Sequence, residues 1–236
     1  THLNLSAATP SRHRFLWLVG AVFIGLNTFL RLGLMVWDGD PANFWPLRLA
    51  GIMGMGFLHD LWAALWLVLP FSLVSLLCPD SWRGRKSFAG LALTLAFLTF
   101  FGVVLTALSE ILFWNEFSSR FNFIAVDYLL FGREVLGNIQ ESYPVPSLLT
   151  GVLVLACLIL ALVWRPLRAA ANGEAGFFGK RLLRFAVLIV LAASAFVLPT
   201  DAWRAKLPSA SARELAGNGN YDFVRAFINN DLDFRA

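Results

Sequence analysis

Five apolar runs, each close to or beyond the roughly 20 residues that cross a bilayer, constrain this 236-residue chain more than any other feature. They fall at 15–37, 49–78, 88–114, 148–164 and 182–200. Segments that span hydrocarbon must satisfy their backbone polar groups internally, so runs of this length are read as helices. Composition agrees. Hydrophobic residues make up 58% of the chain and charged residues only 14%, well below the quarter or so of a soluble domain. The expectation is an all-α membrane protein of five transmembrane helices.

Basic residues set the orientation. Arg12 and Arg14 precede the first run, Arg83, Arg85 and Lys86 follow the second, and Arg165, Arg168, Lys180, Arg181 and Arg184 follow the fourth. These are ten of the 19 Lys and Arg, with only Asp80 and Glu174 as acids among them. The remaining links hold Asp38, Asp40, Glu116, Asp127, Glu134 and Glu141 against Arg48, Arg120 and Arg133. The expected topology is N-in and C-out. The net charge of +4 is thus a topological signal, and no nucleic-acid partner is implied. Cys78 and Cys157 lie in or beside apolar runs, far apart in this topology, and read as packing residues rather than a disulfide or metal pair.

The stretch "EFSSRFNFIAVDYLLFGREVLGNIQESYP", 116–144, is too polar to cross a membrane and too aromatic for an ordinary loop. On a continuous helix Glu116, Arg120, Asp127, Glu134, Asn138 and Glu141 share one narrow stripe, although Gly132 and Gly137 are potential breaks. That pattern predicts an amphipathic helical segment in the outer interface, between the third and fourth spans. Arg120, Asn122, Asp127, Tyr128, Glu134 and Asn138 are its candidates for contact with lipid headgroups or a docked domain, with Arg120 the foremost as a phosphate donor. A plain surface anchor with a solvated charged face is the alternative.

Charges inside the spans are costly and face a cavity or a partner. His59 and Asp60 in "GFLHDLWAAL", and Glu110 in "LSEILFW", are candidates for a polar intramembrane pocket open to the outer leaflet. Arg31 and Arg48 stand at a depth where they could pair with those acids, which would instead make an ion-pair network between helices. No catalytic constellation or metal cluster can be assembled. Ser109 with His59 lacks any glycine-flanked serine motif. After the fifth run, 201–236 has too few apolar residues for a core of its own. Short helices are expected near 214–216 and 221–229, broken at Gly217 and Gly219. Ala210-Ser211-Ala212 matches the small-residue pattern of signal peptidase.

Three motifs carry a family resemblance. "RFNFIAVDYL" followed by "EVLGNIQESYP", "GFLHDLWAAL", and "ELAGNGNYDFVRAFINNDLDF" together resemble the membrane region of the lipoteichoic acid synthase-like family, in its Gram-negative form. The resemblance implies that 1–200 is a five-helix domain of a bacterial inner membrane, and that 201–236 leads into an extracytoplasmic catalytic domain of the alkaline phosphatase/sulfatase type. It implies a transferase that takes phosphoglycerol or phosphoethanolamine from phosphatidylglycerol or phosphatidylethanolamine and passes it to a glycan or polymer. The nucleophilic Thr and the ligands for a divalent metal (Mn, Mg or Zn) would lie in that further domain and have no counterpart in these residues. No catalytic residue is therefore carried over, and no cofactor is expected in this chain. A non-enzymatic membrane subunit, or a transporter-like protein whose polar span residues line a path, is the rival expectation.

Overall fold

The computed structural model describes residues 13–78, 80–82, 86–130, 132–173, 176–198 and 200–229, and among them all regular structure is helical. Four long helices come first to notice: α1 (His13–Asp38), α2 (Pro46–Leu77), α3 (Lys86–Phe117) and α6 (Val145–Ala171). Each contains a stretch long and apolar enough to cross a membrane. Between α3 and α6 lie two short helices, α4 (Phe123–Leu130) and α5 (Gly132–Ser142). Helix α7 (Phe178–Val197) covers most of the fifth apolar run. It opens with Lys180, Arg181 and Arg184, so its apolar part begins only beyond them. Three short helices follow among the described residues: α8 (Thr200–Arg204), α9 (Ala210–Leu215) and α10 (Gly219–Asn229).

Local chemistry explains the boundaries. Asp40 accepts from the Ala42 amide at 2.9 Å and starts a 3-10 turn, Pro41–Phe44, that reverses the chain between α1 and α2. Pro46 then stands at the first position of α2, where its missing N–H costs nothing. Ser209 accepts from the Ala212 amide at 3.0 Å and caps α9, while Asn218 accepts from the Tyr221 amide at 3.0 Å and caps α10.

Helix α1 packs on α2, α3 and α6; α3 packs on α6 and α2 on α7. One half of the bundle has an apolar core, filled by Val19, Val68, Ala96, Phe100, Val104, Val152 and Ile159. Large side chains such as Trp17, Phe29, Leu47, Leu162 and Val190 point outward, as a lipid-facing surface requires. The other half changes character. Its core mixes Leu34, Met35, Ile52 and Trp114 with Ala212 and Leu215, which come from the C-terminal segment. We call this the capped end; the opposite end, where α1 and α7 begin, is the basic end.

The stretch 116–144 departs from the single striped helix. Helix α3 continues to Phe117, Ser118 takes a left-handed backbone (φ 50°), and Arg120 falls in a non-helical turn. Asn122 accepts from the Ile124 amide at 2.9 Å and opens α4. The chain therefore changes direction between Glu116 and Asp127, and Arg120 leaves the face that a continuous helix would have given it. Gly137 lies inside α5 without breaking it.

Candidate functional site

The last thirty or so described residues do not hang from the bundle. They form a strap of α8, α9 and α10 laid across the capped end, and its central residues, Leu215 to Gly219, are buried. Apolar contact alone does not hold them there. The polar residues of α1, α2 and α3 converge on this segment.

Arg31 of α1 and Asp60 of α2 form a fully buried, two-pronged ion pair, Nη1–Oδ2 at 2.8 Å and Nη2–Oδ1 at 2.7 Å. The remaining donors of the guanidinium reach the strap: Nε donates to the Leu215 carbonyl at 2.9 Å and Nη2 to the Gly217 carbonyl at 3.0 Å. Room for the guanidinium comes from Gly56, where any Cβ would collide with it. Asp60 also accepts from Asn218 Nδ2 at 2.7 Å, and the same amide donates to Asn27 Oδ1 at 3.0 Å. His59 Nδ1 lies 2.9 Å from the Ala216 carbonyl. A carbonyl only accepts, so Nδ1 carries the proton.

A second pair lies alongside. Arg120 Nε stands 2.8 Å from Glu110 Oε1, with both side chains sealed from solvent. Arg120 Nη1 donates to the Gly217 carbonyl at 2.6 Å, and its backbone amide donates to Glu214 Oε2 at 3.1 Å. Gly219 sits against the Glu110 carboxylate so closely that a Cβ would collide with it.

The arrangement follows from helix ends. Helix α9 stops at Leu215, and the carbonyls of 215, 216 and 217 have no helical partners. Arg31, His59 and Arg120 donate to those carbonyls, at the negative end of the α9 dipole. Helix α10 starts at Gly219, three residues intervening, and its positive end meets Glu110 directly and Asp60 through Asn218. Two cations and two anions are buried together and balance, which is what burial of charge demands.

An aromatic stack fixes the far side of the strap. The Tyr221 ring lies between Trp62 at 5.9 Å and Trp66 at 5.3 Å, the latter within 7° of parallel. Its hydroxyl contacts Thr200 Oγ1 and the Ala195 carbonyl, both at 3.2 Å, and burial pushes its pKa above the usual tyrosine value. It therefore stays a neutral donor. Arg204 and Asp222 pair at 2.8 Å within the strap, and Ser211 and Asn43 both hydrogen-bond Asp38.

Of the residues singled out from sequence, His59, Asp60, Glu110 and Arg120 are brought together, and the space between them is filled by residues 215–219. Arg48 pairs with Asp40 at 3.0 Å instead of with a span acid. Asn122 caps α4, Asp127 is half-buried, Tyr128 packs edge-on against Phe117, and Asn138 is exposed on α5. The side chain of Glu134 lies outside the described residues. Ser109 bonds back to Leu105 of its own helix, not to His59. Cys78 and Cys157 form no disulfide. Ala210-Ser211-Ala212 forms the first turn of α9, with Ala212 buried. Asn27, Glu214, Asn218 and Tyr221 belong to the site and were not anticipated, although a lone Asn in an apolar run was a visible signal. Among the described residues no group of His, Cys, Asp and Glu could hold a metal. The buried donors and acceptors of this cluster are spent on the backbone and side chains of the strap. Comparison with protein families, with curated proteins and with solved structures finds no match.

Proposed function

We propose that this chain is the membrane unit of a headgroup transferase of the lipoteichoic acid synthase-like kind, and that its task is to hold an extracytoplasmic catalytic domain in a fixed pose against the bilayer. In this reading α1, α2, α3, α6 and α7 are five spans of alternating direction, the N-terminus is cytoplasmic and the capped end faces outward. The ends that meet at the strap support it: the C-terminal ends of α1, α3 and α7 and the N-terminal end of α2 all contact it. That is the parity five antiparallel spans require.

The observation that carries the proposal is the strap itself. A polar segment that follows the last apolar helix is held by two buried ion pairs and an aromatic stack, so whatever it leads into has a defined orientation at the membrane surface. A fixed pose is what transfer from a lipid headgroup needs, because positioning alone can lower a barrier by several kcal/mol. The donor in this reading is phosphatidylglycerol or phosphatidylethanolamine, diacylglycerol is released, and a periplasmic glycan or polymer accepts the group. A transporter-like path through the span charges is disfavoured, because residues 215–219 occupy the space between them.

The test is to isolate the protein from its native membrane, supply each labelled phospholipid in mixed micelles and follow diacylglycerol. Release from one donor supports the proposal. Release from neither, with the strap intact, would sink it.

A further inference from the structure

At the basic end a groove of about 450 Å³ runs between the first turns of α1 and the last turns of α6, lined by Arg14, Trp17, Leu18, Pro166, Ala169 and Ala170. Small residues make it. Ala169 and Ala170 leave a hollow beside the α1 side chains. Pro166 lacks an N–H, so the carbonyl one turn earlier on α6 has no helical donor. The walls are apolar and the mouth is basic.

The cations at this end are employed unequally. Arg181 caps α2, donating to the Cys78 carbonyl at 2.7 Å, and Arg184 lies 3.3 Å from His13. Arg14, Arg165 and Arg168 are exposed and make no ion pair among the described residues, and no carboxylate lines the groove among them. Arg165 is not in the lining but directly precedes the lining residue Pro166 on α6. Trp17 is 73% exposed beside Arg14, which is the pairing of an aromatic ring and a cation found where hydrocarbon gives way to headgroups.

The geometry points to a binding site for one anionic phospholipid in this groove, its phosphate against Arg14 and Arg165 and an acyl chain lying along Trp17 and Ala169. Charge complementarity selects the occupant: a pocket between spans with an arginine in its lining and no carboxylate there among the described residues favours an anionic headgroup over a zwitterionic one. The site stands at the opposite end from the strap, and only its assignment to the cytoplasmic leaflet rests on the topology proposed above.

Phosphatidylserine serves as the probe because it is not a proposed donor for headgroup transfer. The intact protein is reconstituted in phosphatidylcholine vesicles with a minority of phosphatidylserine, extracted gently, and weighed by native mass spectrometry with its retained lipid. Phosphatidylserine should be retained above its bulk share, and Arg14→Gln or Arg165→Gln should each cut that enrichment about fivefold. Arg48→Gln, at the capped end, should leave it unchanged. Ala169→Trp fills the groove without altering charge and should expel the lipid while the melting temperature holds. Absence of enrichment, or retention in the Ala169→Trp protein, would overturn the site. Either result is read without any transfer activity, so failure here and failure of the transferase reading are separable.

Discussion

The two ends of this bundle use the same residue type in opposite ways. At the capped end Arg31 and Arg120 are fully buried, face carboxylates and donate to backbone carbonyls of the strap. At the basic end Arg14, Arg165 and Arg168 are exposed and have no ion-pair partner among the described residues. A buried arginine is tolerated only if its charge and its donors are matched, so each one specifies a particular neighbour. An exposed arginine specifies only a side of the membrane or an anionic surface. One end is built by structure-defining contacts, the other by a field.

The sharpest way to break that contrast is to remove Asp60. Asp60→Ala leaves the Arg31 guanidinium buried without its counter-ion, and loss of one partner of such a pair costs about 3–5 kcal/mol. The expected result is a large fall in melting temperature in detergent, together with faster amide exchange at 215–221. Replacing both partners with apolar residues, Arg31→Met with Asp60→Leu, should recover part of the loss. Recovery stays incomplete because Arg31 also holds the Leu215 and Gly217 carbonyls. If the single and double variants melt alike, the pair is not what fastens the strap.

Next in size is Gly219→Ala. Its Cβ would run into the Glu110 carboxylate, which Arg120 holds from the other side. Overpacking of this kind costs about 1–3 kcal/mol. Melting should report it, and Glu110→Ala in the same chain should relieve the clash while exposing the unpaired Arg120. A smaller effect, about 1 kcal/mol, is expected for Tyr221→Phe, which removes the hydroxyl from Thr200 and the Ala195 carbonyl but keeps the stack on Trp66. An unchanged melting temperature there would mean that the rings alone seat α10.

Much of this is legible in the sequence. Arg31 and Asp60 sit in apolar runs at compatible depth, and the cost of unpaired charge in hydrocarbon made Arg31, alongside Arg48, a possible partner for the span acids; the structure pairs Arg31 with Asp60 and Arg48 with Asp40. Helix α7 forms where the fifth run lies. The partner of Glu110 was not legible. It depends on Arg120 leaving the helix after Phe117, and the signal for that turn, two serines and an asparagine in "FSSRFN", was outweighed by a helical stripe that fitted the spacing. The role of the strap was hidden for a different reason. Its segment has too few apolar residues for its own core, yet Leu215, Ala216, Asn218 and Tyr221 complete the core of helices that precede it by as many as 191 positions. Periodicity reads neighbours in sequence, and these contacts have none.

The basic end supplies the smallest prediction and the cleanest control. Arg168 stands exposed in the last turn of α6, where its charge faces the helix dipole favourably but touches no partner among the described residues. Arg168→Gln should therefore change stability by less than about 0.5 kcal/mol, the range of exposed sites away from caps and networks. Melting of the purified variant beside Asp60→Ala measures the two ends on one scale. A shift for Arg168→Gln approaching that of Asp60→Ala would mean that the basic end holds a packed contact comparable to the buried ion pairs of the capped end, and the division between a fastened end and a charged end would have to be given up.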